Sequence, residues 1–221
     1  MLRIAIDGAC RRNGKPDCIS AGGVFILHYK ELELIQTKIL SNYEMQSTNQ
    51  RGELLALLTA LDYVCSANIE AQVITDSEYI FNTMTKEWYS NWERKGWVTS
   101  LNEPVKNIDM WREIAHAYRK CSVDVTFYHI KGHCIPFGKV TASNLLNGDP
   151  TGAALLKAVN SKYELVKESK AKNITEATEL SEKNNGFALP DEQLKAFIVA
   201  NIVSDAIATR CVEAANALNC S

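Results

Sequence analysis

The chain contains no apolar run of the ~18 residues that a membrane-crossing helix needs. Its N-terminus carries no basic-then-apolar leader. Seven cysteines are scattered at Cys10, Cys18, Cys65, Cys121, Cys134, Cys211 and Cys220, with no C-x-x-C pair. That argues against a zinc ribbon or a thioredoxin-like redox motif. Net charge is nearly absent, at −2, so composition gives no sign of a nucleic-acid or membrane partner. Binding to either must come from local patches. There is no internal repeat and no low-complexity tract. These absences lead us to expect a reduced, cytoplasmic monomer with no membrane partner. What is present is a 221-residue chain with 46% apolar residues. That suffices for a sizeable core in one large domain, or one domain with an insertion.

The first feature of interest is Asp7, closing the run Leu2-Arg3-Ile4-Ala5-Ile6-Asp7-Gly8. The run reads as a strand that ends at the glycine. A lone aspartate there commonly starts a turn. It also sits where α/β sheets open onto their ligands. Residues 21–28 and 32–40 read as two further strands with short connections, an antiparallel meander. Ser47, Thr48 or Asn49 then offers a cap to a helix with Leu54, Leu57, Leu58, Leu61 and Val64 on one face. Glu53 falls in its first turns. Val73-Ile74-Thr75-Asp76 is a brief strand, and Ser77 caps the helix after it.

Residues 88–97 are aromatic and mixed in charge. A helix over 107–121, with Ile108, Trp111, Ile114 and Ala115 on one face, precedes a strand over 123–130. Strand and helix alternation of this kind builds a parallel sheet, here added to the meander. Pro136, Gly138, Gly148, Pro150 and Gly152 interrupt the next segment. A helix then places Leu155, Val159, Tyr163 and Val166 on one face, and 157–172 carries five lysines against two glutamates. From Ala196 to Thr209 the last helix has a single charged residue, Asp205. Such a helix must be largely buried, and an unpaired buried carboxylate is costly. A core salt bridge, a rim position or a metal would each resolve it.

Asp7, Glu53, Asp76 and Asp205 therefore form a candidate set. Four carboxylates cannot converge without a counter-charge. Oxygen donors without a Cys or His cluster select a hard cation, Mg²⁺ or Mn²⁺. On a mixed sheet that chemistry suits two-metal phosphodiester hydrolysis.

Seven stretches together resemble a type 1 ribonuclease H. They are Ile6-Asp7-Gly8-Ala9-Cys10, the run from Ser47 to Ala56 with Asn49-Gln50-Arg51-Gly52-Glu53, and Thr75-Asp76-Ser77-Glu78-Tyr79. The others are Trp92 to Trp97, Pro104 to Trp111, His129-Ile130-Lys131-Gly132-His133, and Asn201 to Ala208 around Asp205. The likeness covers 1–133 and about 195–210. It implies an α/β fold: a five-stranded mixed sheet, strands 1–3 antiparallel, with helices on both faces. It implies cleavage of the RNA strand of RNA–DNA hybrids, with Asp7, Glu53, Asp76 and Asp205 holding two Mg²⁺ ions. His133 matches a loop histidine thought to aid proton transfer or product release. Gly8, Cys10, Asn13, Asn49, Gln50 and Glu78 match minor-groove positions, where a 2′-hydroxyl distinguishes RNA from DNA. Thr48 and Ser77 match a phosphate pocket.

Trp88, Trp92 and Trp97 match the family's basic handle, which grips the DNA strand. Over 86–106, Lys86, Arg94, Lys95 and Lys106 stand against Glu87, Glu93 and Glu103, a net of only +1. Charge supplies most non-specific affinity, so this handle reads as weak. Tryptophans at this spacing also pack helical protrusions. Segment 134–189 is the larger departure, an insertion within a single domain spanning 1–221. Its lysines either reach phosphate or face solvent on a helix that covers the sheet. The alternatives to a hybrid nuclease are a non-catalytic hybrid-binding protein and another nuclease of the same superfamily.

Overall fold

The computed structural model describes residues 1–135 and 152–219. The breaks read at Pro136, Gly138, Gly148 and Pro150, and the side chain of Leu155, lie outside the described residues. Five strands form one sheet: β1 (Leu2–Arg11), β2 (Ile19–Lys30), β3 (Glu33–Met45), β4 (Ala71–Thr75) and β5 (Val125–His129). Their spatial order is β3-β2-β1-β4-β5. β1, β2 and β3 pair antiparallel, and β4 joins β1 and β5 in parallel.

Helices cover both faces. Side chains alternate along β1, so Leu2, Ile4 and Ile6 point one way and Ala5 the other. The first face is covered by α1 (Asn49–Ala67), α2 (Glu78–Thr85), α3 (Trp88–Arg94) and α4 (Ile108–Lys120). The second carries α5 (Gly152–Val166), α6 (Ala171–Asn185) and the long α7 (Asp191–Asn219). Between Ala196 and Thr209, α7 is apolar nearly all round because that stretch is enclosed. Phe197, Val199, Ala200 and Val203 are buried between the sheet and the inserted helices, which contribute Val159, Tyr163 and Ala177.

β1 is longer than its apolar run suggests. It continues past Asp7 to Arg11, because Gly8 to Arg11 pair with Gly22 to Ile19 of β2. On its other side the pairing with β4 stops at Ala5 and Ile74. Asp7 thus lies within a strand, at the point where one neighbour has already ended. The sheet opens there by loss of a partner strand.

Candidate functional site

Each carboxylate arrives on a different element. Asp7 projects from β1, Glu53 from the first turns of α1, Asp76 follows β4 directly, and Asp205 lies midway along α7. Two glycines allow the helices to come this close. A Cβ on Gly8 would lie 2.4 Å from the Glu53 amide nitrogen, so α1 rests backbone-on-backbone against β1. A Cβ on Gly23 would lie 2.2 Å from the Ser204 carbonyl oxygen. Gly23 pairs with Asp7, which brings α7 and Asp205 beside Asp7.

The electrostatics record the convergence. Burial pushes the Asp7 carboxyl well above the usual carboxylate range, and Asp76, Asp205 and Glu53 push it further. Burial raises Glu53 too; Ser77 opposes this and Asp76 adds to it. Asp76 and Asp205 are likewise raised by burial, and nearby His133 draws both back down. Among the described residues, no lysine or arginine forms an ion pair with any of the four, which disposes of a core salt bridge to Asp205.

Asp7 Oδ1 accepts the Gly8 amide at 2.7 Å. Its Oδ2 is buried and has no partner. A buried polar atom left so is costly, by about 1–3 kcal/mol and more when charged. Ser77 occupies the N-cap of α2, but its side chain makes no cap bond. Its hydroxyl donates to Glu53 Oε2 at 2.6 Å instead. Asn49 Nδ2 donates to Glu53 Oε1 at 3.2 Å, and Thr48 caps α1 through Arg51 N.

The donor set suits a hard divalent ion: all oxygen, like-charged, buried at Asp7 and half-buried at the other three, with one carboxylate oxygen unsatisfied. The fit is electrostatic, not a finished cage. Among the described residues no three His, Cys, Asp or Glu side chains already stand as an ion-holding group.

A family model described as RNase H matches residues 2–144. The chain belongs to the ribonuclease H family. Ribonuclease H of Alcanivorax borkumensis is 35% identical over 146 residues, 65% of this chain and 87% of that protein. Ribonuclease H of Agrobacterium fabrum is 39% identical over 130 residues, 59% and 81% respectively. The solution structure of the PFV RNase H domain superposes with a TM-score of 0.52 at 25% identity, covering 69% of this chain and 93% of that one. LC9-RNase H1, described as a type 1 RNase H with the type 2 active-site motif, shares the fold at a TM-score of 0.51 and 23% identity, over 60% and 63%.

The remaining positions carried over from the ribonuclease H motifs are placed less uniformly. Gln50 Oε1 accepts from Asn107 Nδ2 at 3.0 Å, and Glu78 opens α2. Asn13 is exposed in the β1–β2 turn. The Cys10 Sγ lies 2.7 Å from that of Cys18, and burial pushes its thiol up to about 12. Trp88 and Trp92 pack against each other with ring centres 6.3 Å apart, and Trp92 stands 5.8 Å from Trp111. Both also line a cleft of about 620 Å³ with Asn91, Lys95 and Thr99. Trp97 is buried. Glu93 is ion-paired with Arg119 of α4, which removes one negative charge from the handle. In the insertion, Lys167 pairs with Glu164 at 2.7 Å. α5 packs on α7 and β3, the edge of the sheet away from β4 and β5, which favours the covering role.

Sequence reasoning missed two groups around the site. Arg51 binds Glu44 at 2.7 Å and Asp109 at 2.8 Å, fastening the N-terminus of α1 to the end of β3 and the start of α4. His129 is buried, which holds its ring below the usual histidine range, and its Nε2 meets the Asp76 carbonyl oxygen at 3.2 Å. A histidine in step with Val125 and Phe127 on one face of β5 was the available signal.

Proposed function

We propose that Asp7, Glu53, Asp76 and Asp205 hold two divalent ions, Mg²⁺ with Mn²⁺ as a substitute, and that the chain cuts the RNA strand of RNA–DNA hybrids there. The observation that carries this reading is the meeting of four carboxylates, Asp7 buried and the others half-buried, with no lysine or arginine paired to them among the described residues, in a member of the ribonuclease H family. When bound, the ions supply a water nucleophile at neutral pH and charge stabilisation at the leaving oxygen. The chain's own residues do the rest. Ser77 and Asn49 hold the two oxygens of Glu53 in a fixed orientation. His133 is exposed and near enough to Asp76 and Asp205 to act on their charge, the place a proton-delivering group would need. Gly8, Cys10, Asn13, Thr48, Asn49, Gln50, Ser77 and Glu78 border the path for the hybrid, and the Trp88–Trp92 cleft takes the other strand. One domain spans the whole chain in this reading, since α5 and α6 share a core with α7. The enzyme acts as a cytoplasmic monomer.

The test is cleavage of labelled RNA–DNA hybrid, duplex DNA and duplex RNA, with and without Mg²⁺. Cleavage confined to the RNA of the hybrid, requiring metal and lost in Asp7→Asn, is the expected result. Binding of hybrid without cutting would favour the non-catalytic reading. Cutting of duplex DNA would favour another nuclease of the superfamily.

A further inference from the structure

β5 is an edge strand, and an edge leaves backbone groups without partners. At His129 that gap is filled by a side chain of the insertion. The His129 amide donates to Asn185 Oδ1 at 2.9 Å, and Asn185 Nδ2 donates to the His129 carbonyl at 2.9 Å. One side-chain amide thus replaces one residue of a missing strand. Asn185 is itself fixed, because its Nδ2 also reaches the Ser181 carbonyl at 2.8 Å. The buried Ser181 hydroxyl adds a bond to the His129 carbonyl at 3.3 Å.

The ring of His129 is held in the same way. Asn184 Nδ2 donates to its Nδ1 at 3.0 Å. Nδ1 is then the acceptor nitrogen, and Nε2 carries the proton that points at the Asp76 carbonyl. Further along, Glu176 pairs with Lys131, and Asn173 Nδ2 donates to the Cys134 carbonyl at 3.1 Å. α6 therefore lies along the whole stretch from His129 to Cys134. That stretch presses on the carboxylate cluster. A Cβ on Gly132 would fall 1.9 Å from Asp76 Oδ2 and 3.0 Å from the Asp76 Cβ.

The geometry points to Asn184 and Asn185 as positioning residues: α6 clamps the 129–133 segment against Asp76 and so sets where Asp76 and His133 stand. The role in turnover rests on the ribonuclease reading above; the clamp itself does not. Neither asparagine touches the reacting atoms. Both engage His129, whose two ring nitrogens and two backbone groups are all occupied, and Asn184 Nδ2 also reaches Glu78 Oε1 at 3.5 Å.

The test compares Asn185→Ala, Asn184→Ala and, on the same helix, exposed Glu179→Ala. Two readouts are taken: amide hydrogen exchange over 130–134, and kcat, KM and Mg²⁺ half-saturation on hybrid. For the asparagine variants we expect faster exchange over 130–134 and kcat lowered by about ten- to a hundredfold, as for a sub-ångström displacement. KM for hybrid should stay within about twofold, because a positioning defect acts on the transition state more than on binding. Glu179→Ala should match wild type. Should Asn185→Ala fail to fold, Asn184→Ala leaves the backbone pair intact and carries the same comparison. Folded variants with wild-type exchange and wild-type kcat overturn the proposal. A wild-type chain that cuts no hybrid removes the ribonuclease reading instead; the exchange comparison then decides the clamp alone, faster exchange supporting it and unchanged exchange overturning it.

Discussion

The two faces of the sheet are built from different parts of the chain and do different work. The face under α1 to α4 is made from one continuous stretch that the family model spans. The face under α5 to α7 is made largely from residues beyond that match. Three carboxylates come with the first stretch, and Asp205 comes with the second. The first face is stapled by a paired ionic set, Arg51 with Glu44 and Asp109. The cluster between the faces is the opposite case, four acids with no basic ion pair among the described residues. One set holds the fold together and the other strains it, which is how a binding site differs from a brace.

The largest expected effect separates the faces at their two close approaches. Gly8→Ala and Gly23→Ala should each cost about 1–3 kcal/mol, the usual range for overpacking. Gly23→Ala should also lower hybrid cleavage by roughly a hundredfold, since it pushes α7 and Asp205 away from Asp7. A folded Gly23→Ala protein with wild-type kcat would show that α7 need not sit so close.

The next concerns pH. The raised carboxyls of Asp7, Glu53, Asp76 and Asp205 bind protons more tightly when folded, so their contribution is present in acid. It is lost as pH rises from the ordinary carboxylate value of about 4 through the raised folded values. The Tm of chelator-treated protein should therefore fall as pH rises above the ordinary carboxylate value of about 4, and Mg²⁺ should restore more of it at the higher pH. Asp7→Asn should raise the chelated Tm by a few degrees, on the order of 1 kcal/mol. A gap between chelated and Mg²⁺-loaded protein that does not change with pH would break the contrast between the two acidic sets.

Glu44 and Asp109 have the opposite sign. Bonds from Arg51 hold both carboxyls below their usual values, so their contribution is full above about pH 4 and fades as pH falls through the lowered values. Arg51→Ala should cost about 1 kcal/mol after discounting for exposed partners, measured by urea unfolding at neutral pH, with a smaller cost in acid. An equal cost at both pH values would assign the loss to packing.

The smallest effect is expected from α5. Changing Lys157, Lys162 and Lys167 together to Ala should leave the salt dependence of hybrid binding unchanged, because the helix packs on α7 and β3 and Lys167 is already paired. A shallower slope would show that this face meets phosphate after all.

Much of this was legible in the residues. Period-two and helical spacing gave the meander, the parallel strands and α1, because each element buries one regular face. The end of β1 was not, since Gly8 to Arg11 has no apolar pattern and is a strand only because β2 lies alongside. Ser77 reads locally as a cap, and only the arrival of Glu53 from α1 redirects its hydroxyl. Nothing local marks Asn184 and Asn185 at the end of α6 as partners of β5; their bonds to His129 span 55 and 56 residues of chain.

By itself the sequence determined which side chains the protein owns: four acids set in apolar surroundings, a loop histidine, and a helix too greasy to face water. It also determined the local elements that carry them, because periodicity is a property of neighbouring residues. Only the tertiary structure decided that those acids share one field, that glycines in β1 and β2 admit the helices that bring two of them, and that an inserted helix completes the open edge of β5. Those are contacts between residues far apart in the chain, and no local pattern encodes the distance between them.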